Sequence, residues 1–173
     1  VIGNPPYSQA SGRSQFTHSR VFDRYRAHVA DERRSGPLSN DYVRFVATAQ
    51  GAIELSGCGV FGMITSSSFL ESIVHRGMRH ELLACFQPIF LLDLHGETLP
   101  GRPREVSDTS GPINVFDIQE GVAVTIGVRI INSTEDRFLL HHELHGSRDT
   151  KFEALNRNSV RAFPSFRFQP GQH

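Results

Sequence analysis

Asn4-Pro5-Pro6-Tyr7 is the stretch of this chain whose residue types and spacing together describe a chemistry. It follows the apolar lead Val1-Ile2-Gly3, which sets it at the tip of a buried strand. The Asn side-chain carbonyl can accept a hydrogen bond from an exocyclic amino group. Two prolines fix φ and donate nothing, so the carbonyls around them stay rigid and free to accept. Tyr7 adds an aromatic face on which a planar base can stack. Together these residues make a grip for an NH₂ group on a flat ring. A plain Pro-Pro turn after a strand is the other use of the same residues.

Other candidates are weaker. His141, His142 and His145 match no zinc spacing and bring no cysteine, so no metal is expected. If they lie on a strand, His141 and His142 face opposite sides. Asp93 and Glu97 stand near a strand end, where they could line a site or form a solvated loop edge. Ser66-Ser67-Ser68-Phe69 follows an apolar run and could be a pocket wall or a turn. No Ser-His-Asp arrangement and no Walker-type phosphate loop is readable.

The elements that must position this grip alternate. Residues 21–34 could form a helix between polar loops. A stronger helix opens near Leu38, with Ser39 or Asn40 as cap, Asp41 at its positive end and a stripe of Tyr42, Phe45, Val46, Ala49 and Ile53. Gly57 to Gly59 stops it. Residues 60–65 read as a strand buried on both faces, and 66–76 as loop or irregular helix. Residues 77–86 read as a helix with Met78, Leu82 and Phe86 inward. Strands follow at 89–94 and 122–131, separated by a Pro-, Gly- and Arg-rich loop at 96–112. Strands alternating with helices predict an α/β fold with a mostly parallel sheet and helices on both faces.

Asn4-Pro5-Pro6-Tyr7, led by Val1-Ile2-Gly3, resembles the catalytic signature of amino-methyltransferases that use S-adenosylmethionine, above all adenine-specific (N-6) DNA methylases. Gly59 to Thr65 with the serines after it, Gly77-Met78-Arg79 with Leu82-Leu83, residues 89–96, Asn114-Val115-Phe116 and residues 122–131 are similar to later stretches of that family. Residues 142–155, with Gly146-Ser147-Arg148 and Lys151, resemble a segment of type ISP and helicase-linked restriction–modification enzymes. The resemblance implies the second half of a Rossmann-like class I methyltransferase fold. No strand ending in a Gly-rich turn precedes the motif, and Gly57-Cys58-Gly59 lies in the reverse, helix-to-strand order. The main elements that bind S-adenosylmethionine are therefore expected outside this chain, which opens inside a strand and reads as part of something longer. Residues 1–132 would be the C-terminal half of the catalytic domain, and 133–173 an extension toward a target-recognition region, read as irregular from Ser147 to His173.

By that resemblance Asn4, Pro5, Pro6 and Tyr7 are catalytic, and Asn4 also faces the cofactor. Tyr7 stacks on a flipped adenine, with Phe116 as second stacking residue or as a core Phe. The implied partners are double-stranded DNA and the remainder of the same polypeptide, which could carry a nuclease or helicase. Methylation of a protein glutamine amide or an RNA base would use the same grip, and a non-catalytic remnant would keep the fold without the reaction.

At 173 residues the chain suits one core-forming domain. It has no apolar run long enough for a bilayer and no basic-plus-apolar leader, so a cytoplasmic location is expected without membrane contact. Cys58 and Cys85 are expected to pack as small apolar side chains. A net charge of zero argues against a large, purely electrostatic nucleic-acid surface. Lys151 is the sole lysine among the cations. Arg20, Arg24, Arg26, Arg33 and Arg34 could contact phosphate or form a solvated face.

Overall fold

The computed structural model describes residues 1–6, 19–33, 36–96, 114–116, 118–132, 138–159 and 166–168. In chain order these form β1 (Ile2–Gly3), α1 (Arg20–Ala27), α2 (Asp41–Ser56), β2 (Gly59–Ser66), α3 (Arg76–Cys85), β3 (Ile89–His95), β4 (Val122–Arg129), β5 (Leu139–Glu143), α4 (Arg148–Arg157) and β6 (Phe166–Phe168). The six strands make one mixed sheet in the order β1-β2-β4-β3-β5-β6.

The sheet corrects the mostly parallel expectation. β1 pairs with β2, and β3 with β5, in parallel. The other three pairings, β2 with β4, β3 with β4 and β5 with β6, are antiparallel. A parallel neighbour requires a long crossover, usually a helix. The elements α1 and α2 lie in the crossover from β1 to β2, whereas β3 reaches its parallel neighbour β5 by way of β4. β4 instead returns from the edge at which β3 ends, so that Val122 pairs with both Ser66 and His95.

Strand alternation gives the sheet two faces. On one, Phe61 and Met63 of β2, Ala123 of β4 and Ile89 of β3 pack under α1, α2 and α3. Val21 and Tyr25 come from α1, Tyr42, Val43, Val46 and Ile53 from α2, and Met78 and Leu82 from α3. On the other face Leu94, Val115 and Val122 are buried, with Ile64, Leu92, Phe116, Val124 and Leu155 of α4 against them. Helices therefore cover both faces, three on one and α4 on the other. β2 is fully buried on one side only: Val60 is half exposed, and Gly62 and Ile64 are partly buried.

Local chemistry explains the element ends. Asn40 precedes α2 in extended conformation, and Gly57 closes it at φ 77°, a left-handed backbone that favours glycine. Gly127 is required by close approach, since a Cβ there would lie 2.2 Å from Phe61 Cε1. Phe61 and Phe86 occupy that space with centroids 4.6 Å apart. Arg129 donates to the carbonyls of Gly57 and Cys85, tying the ends of α2 and α3 to β4.

Several further expectations change. Residues 148–157 form a helix rather than irregular structure, capped by Ser147, whose Oγ accepts from the Thr150 amide at 3.2 Å. β5 and β6 extend the sheet of residues 1–132 into the segment expected as an extension. Asn114 to Phe116 is not a strand. Cys85 is buried, but Cys58 is exposed. Arg24 is held by Glu54 at 2.5 Å and Glu81 at 2.6 Å, which occupies the guanidinium proposed for phosphate. Tyr7, Arg34, Glu97, and most of the loop at 96–112 lie outside the described residues. No described helix is long and apolar enough to cross a membrane.

Candidate active site at the carboxyl edge of the sheet

β1, β2, β3 and β5 all run in one direction, so their carboxyl ends share one edge. Open α/β sheets bind ligands in the crevice beyond such an edge. The parallel register pairs Ile2 with Gly62 and Gly3 with Met63, so the chain leaves β1 alongside the carboxyl half of β2. Asn4 and Pro6 are exposed there, whereas Pro5 is buried. A buried proline between two exposed residues anchors the turn, and the Asn4 side chain remains accessible from solvent. Asn4, Pro5 and Pro6 follow the end of a strand as expected, but that strand is not buried: β1 is the edge of the sheet and Ile2 is 94% exposed, because only β2 pairs with it among the described residues.

The end of β2 is built from serines. Ser66 Oγ accepts from the Ser68 amide at 3.3 Å and donates to Ser68 Oγ at 2.9 Å, which starts the single turn Ser67–Phe69. The Ser67 amide donates to the Gly121 carbonyl at 2.8 Å, closing this turn onto the start of β4. Ser67, Ser68, Leu70, Glu71 and Ser72 then line a cleft of about 420 Å³, completed by Asp93 and His95 from β3. The serine loop is thus a pocket wall, and Asp93 lines the cleft.

A buried relay supports that wall. Tyr42 Oη lies 3.0 Å from His75 Nε2 and 3.3 Å from Ser68 Oγ. Burial pushes the Tyr42 hydroxyl up to about 12, against the opposing hydrogen bond to Ser68. His75, only 1% exposed, is driven down to about 4 by burial and by the Arg79 charge, which outweigh the Pro37 carbonyl. Both groups are therefore neutral at pH 7 and hold the loop by neutral hydrogen bonds. Arg79 donates to the carbonyls of Phe69 and Ser72, fixing the far side of the same loop.

Two residues on the β3 side were not legible in the sequence as site builders. Asn114 Nδ2 donates to the carbonyls of Glu120, at 2.6 Å, and Gly96, at 3.3 Å, while its Oδ1 accepts from the Phe116 amide. It thereby joins the end of β3 to the approach of β4. Lys151, fully buried, sends Nζ from α4 to the Leu94 carbonyl at 2.6 Å. Burial lowers its pKa, against the attraction of Asp93. Their signal in the sequence was slight: a lone lysine within a helical run, and an Asn before two apolar residues. Phe116 is partly buried against the second apolar cluster. His141 and His142 pair with Leu91 and Leu92 and so face opposite sides of β5.

No family model and no curated protein matches the chain. Solved structures do. The ATP-dependent type ISP restriction–modification enzyme LlaBIII bound to DNA aligns with 89% of this chain at 26% identity and a TM-score of 0.71. This chain shares its fold with part of the type ISP restriction–modification enzymes. A nuclease-deletion mutant of the type ISP enzyme LlaGI, in complex with a DNA substrate mimic, matches 99% of the chain with a TM-score of 0.75 at 22% identity. The DrdV–DNA complex covers 98% at 26% identity and a TM-score of 0.71. This chain spans only 10% of the LlaBIII chain and 17% of each of the other two.

Proposed function

We propose that this chain is the amino-acceptor half of an adenine-specific DNA methyltransferase within a restriction–modification enzyme. The observation that carries the reading is the position of Asn4-Pro5-Pro6 at the carboxyl edge of β1, beside a parallel β2 and the cleft of the serine loop. The similarity to DNA-bound type ISP enzymes supports the restriction–modification setting. In this reading the chain works inside a longer polypeptide. Its remainder covers the open edge of the sheet at β1, where Ile2 is 94% exposed.

The adenine amino nitrogen is a poor nucleophile because its lone pair is delocalised into the ring. The Asn4 side-chain carbonyl and the Pro5 backbone carbonyl would accept its two N–H bonds. They favour the pyramidal, attacking form of the nitrogen and stabilise the positive charge that develops on it. Tyr7 stacks on the extruded base, and Phe116 is the candidate for the second face. S-adenosylmethionine, when bound, supplies the electrophilic methyl group. The described residues fit the acceptor side of that exchange. They include no Gly-rich strand-to-helix turn, and Asn4 alone is assigned toward the donor.

The test is N6-methyladenine formation on duplex DNA, read by mass spectrometry of nucleosides in the full polypeptide. Asn4→Ala should lower the methylation rate by about 10²-fold or more, the cost of removing one preorganised polar group. DNA binding by gel shift should stay unchanged. Methylation at the parent rate would overturn the role of Asn4, and product on glutamine or RNA but not on DNA would overturn the substrate.

A further inference from the structure

We propose that His95, Glu143 and His145 form a site for a divalent transition metal of the zinc class, which clips the end of β3 to the turn between β5 and α4. One ligating atom from each residue lies within 4.8 Å of the other two. Glu143 Oε2 stands 3.5 Å from His95 Nε2 and 3.3 Å from His145 Nε2. Donors around a tetrahedral zinc, each about 2.0–2.2 Å from the ion, stand about 3.3–3.5 Å apart. Both spacings therefore already suit a shared ion. Both Nε2 atoms face the same carboxylate oxygen, Glu143 Oε2. The two rings stack with centroids 4.3 Å and planes 17° apart, so one ring must turn out of the stack on binding, because a ligated imidazole holds its metal in the ring plane.

A second observation points to an absent ligand. His95 Nε2 is buried without a hydrogen-bond partner, a costly state for a ring nitrogen. Asp93 stands beside the other ring nitrogen: Oδ2 lies 3.6 Å from His95 Nδ1, an ion-pair rather than a hydrogen-bond distance, and Oδ1 accepts from the His95 amide at 2.8 Å. A carboxylate behind a ligating imidazole is the usual outer support of a metal-bound histidine. Two imidazoles and one carboxylate suit zinc and its neighbours. Glu143 and His145 are exposed, which leaves a fourth position open to water.

A second grouping, His28, His80 and Glu81, has comparable ligands but a different electrostatic setting. There the Glu81 carboxylate already holds Arg24 at 2.6 Å, so a cation would meet an existing positive charge. The His95 grouping also escapes any spacing motif, because β3 and β5 contribute ligands nearly fifty residues apart.

Isothermal titration of Zn²⁺ into the purified protein tests the site. The expected result is one ion per chain, with binding lost in His145→Ala and in Glu143→Gln. Both side chains are exposed, and circular dichroism checks that the fold persists. His80→Ala should bind like the parent, and Asp93→Asn should weaken binding by about 10- to 100-fold. Titration with Co²⁺ should give the visible absorption of a tetrahedral site, absent in His145→Ala. No Zn²⁺ binding, binding that survives both ligand substitutions, or binding lost in His80→Ala would each overturn the site. Unchanged affinity in Asp93→Asn would overturn the role given to Asp93.

Discussion

Acidification should destabilise this protein through one residue, His75, before its carboxylates respond. The imidazole is depressed to about 4 in the fold, against about 6.5 for an ordinary histidine. The sign follows from proton counting. Above pH 6.5 folded and unfolded states both hold neutral His75, and no stability is lost. Between 6.5 and 4 the unfolded chain binds a proton that the folded chain refuses, so stability falls. Below pH 4 both are protonated and the loss levels off at about 3 kcal/mol. The same linkage makes the loss between pH 7 and pH 5 about 2 kcal/mol. Burial acts to raise Glu54 and Glu81, but Arg24, together with Gln50 at Glu54 and His28 at Glu81, holds both low, so their contribution fades mainly below their ordinary value of 4.5. Urea unfolding at pH 7 and pH 5 measures the effect. The chain has no tryptophan, so far-UV circular dichroism is the probe. His75→Gln keeps an amide near Tyr42 and cannot titrate. It should lower stability at pH 7 yet remove most of the loss between pH 7 and pH 5. An equal loss in the parent and in His75→Gln would refute the reasoning.

Packing and polar anchors give two more expectations. Gly127→Ala drives a Cβ into Phe61 and Phe86, and should cost about 1–3 kcal/mol in urea unfolding. Lys151→Met keeps the length of the stem but removes the donor to the Leu94 carbonyl, and should cost about 1.5–3 kcal/mol by the same measurement. A thermal shift below 1 °C for Lys151→Met would show that this donor does not hold the end of β3.

Locally encoded features were legible in the sequence. The apolar stripe and closing glycine of α2, the inward trio Met78, Leu82 and Phe86, and the strands β2, β3 and β4 all follow from periodicity and turn chemistry. The motif Asn4-Pro5-Pro6 could be set at a strand end because its apolar lead adjoins it. What escaped depends on partners far away in the chain. The antiparallel insertion of β4 is decided by pairing with β2 and β3, and no residue of β4 announces its direction. The strand β5 looked polar because His141 and His142 alternate across a partly buried ribbon. The roles of Asn114 and Lys151 are hydrogen bonds to backbone carbonyls, which leave no mark on hydropathy.

The wedge of β4 between β2 and β3 also sets an order of events. β2 and β3 are neighbours in sequence and run the same way, yet neither bonds to the other. Until residues 122–129 arrive, the β1–β2 pair and the β3 strand are separate ribbons, each with an unpaired edge. Such edges invite pairing with other chains. Insertion of β4 closes both at once. The cleft wall on β2 and the turn after β3 therefore acquire their relative positions in a single non-local step, of the kind that makes folding slow. A ribosome-bound chain ending before Val122 would carry every residue of that cleft without having the cleft.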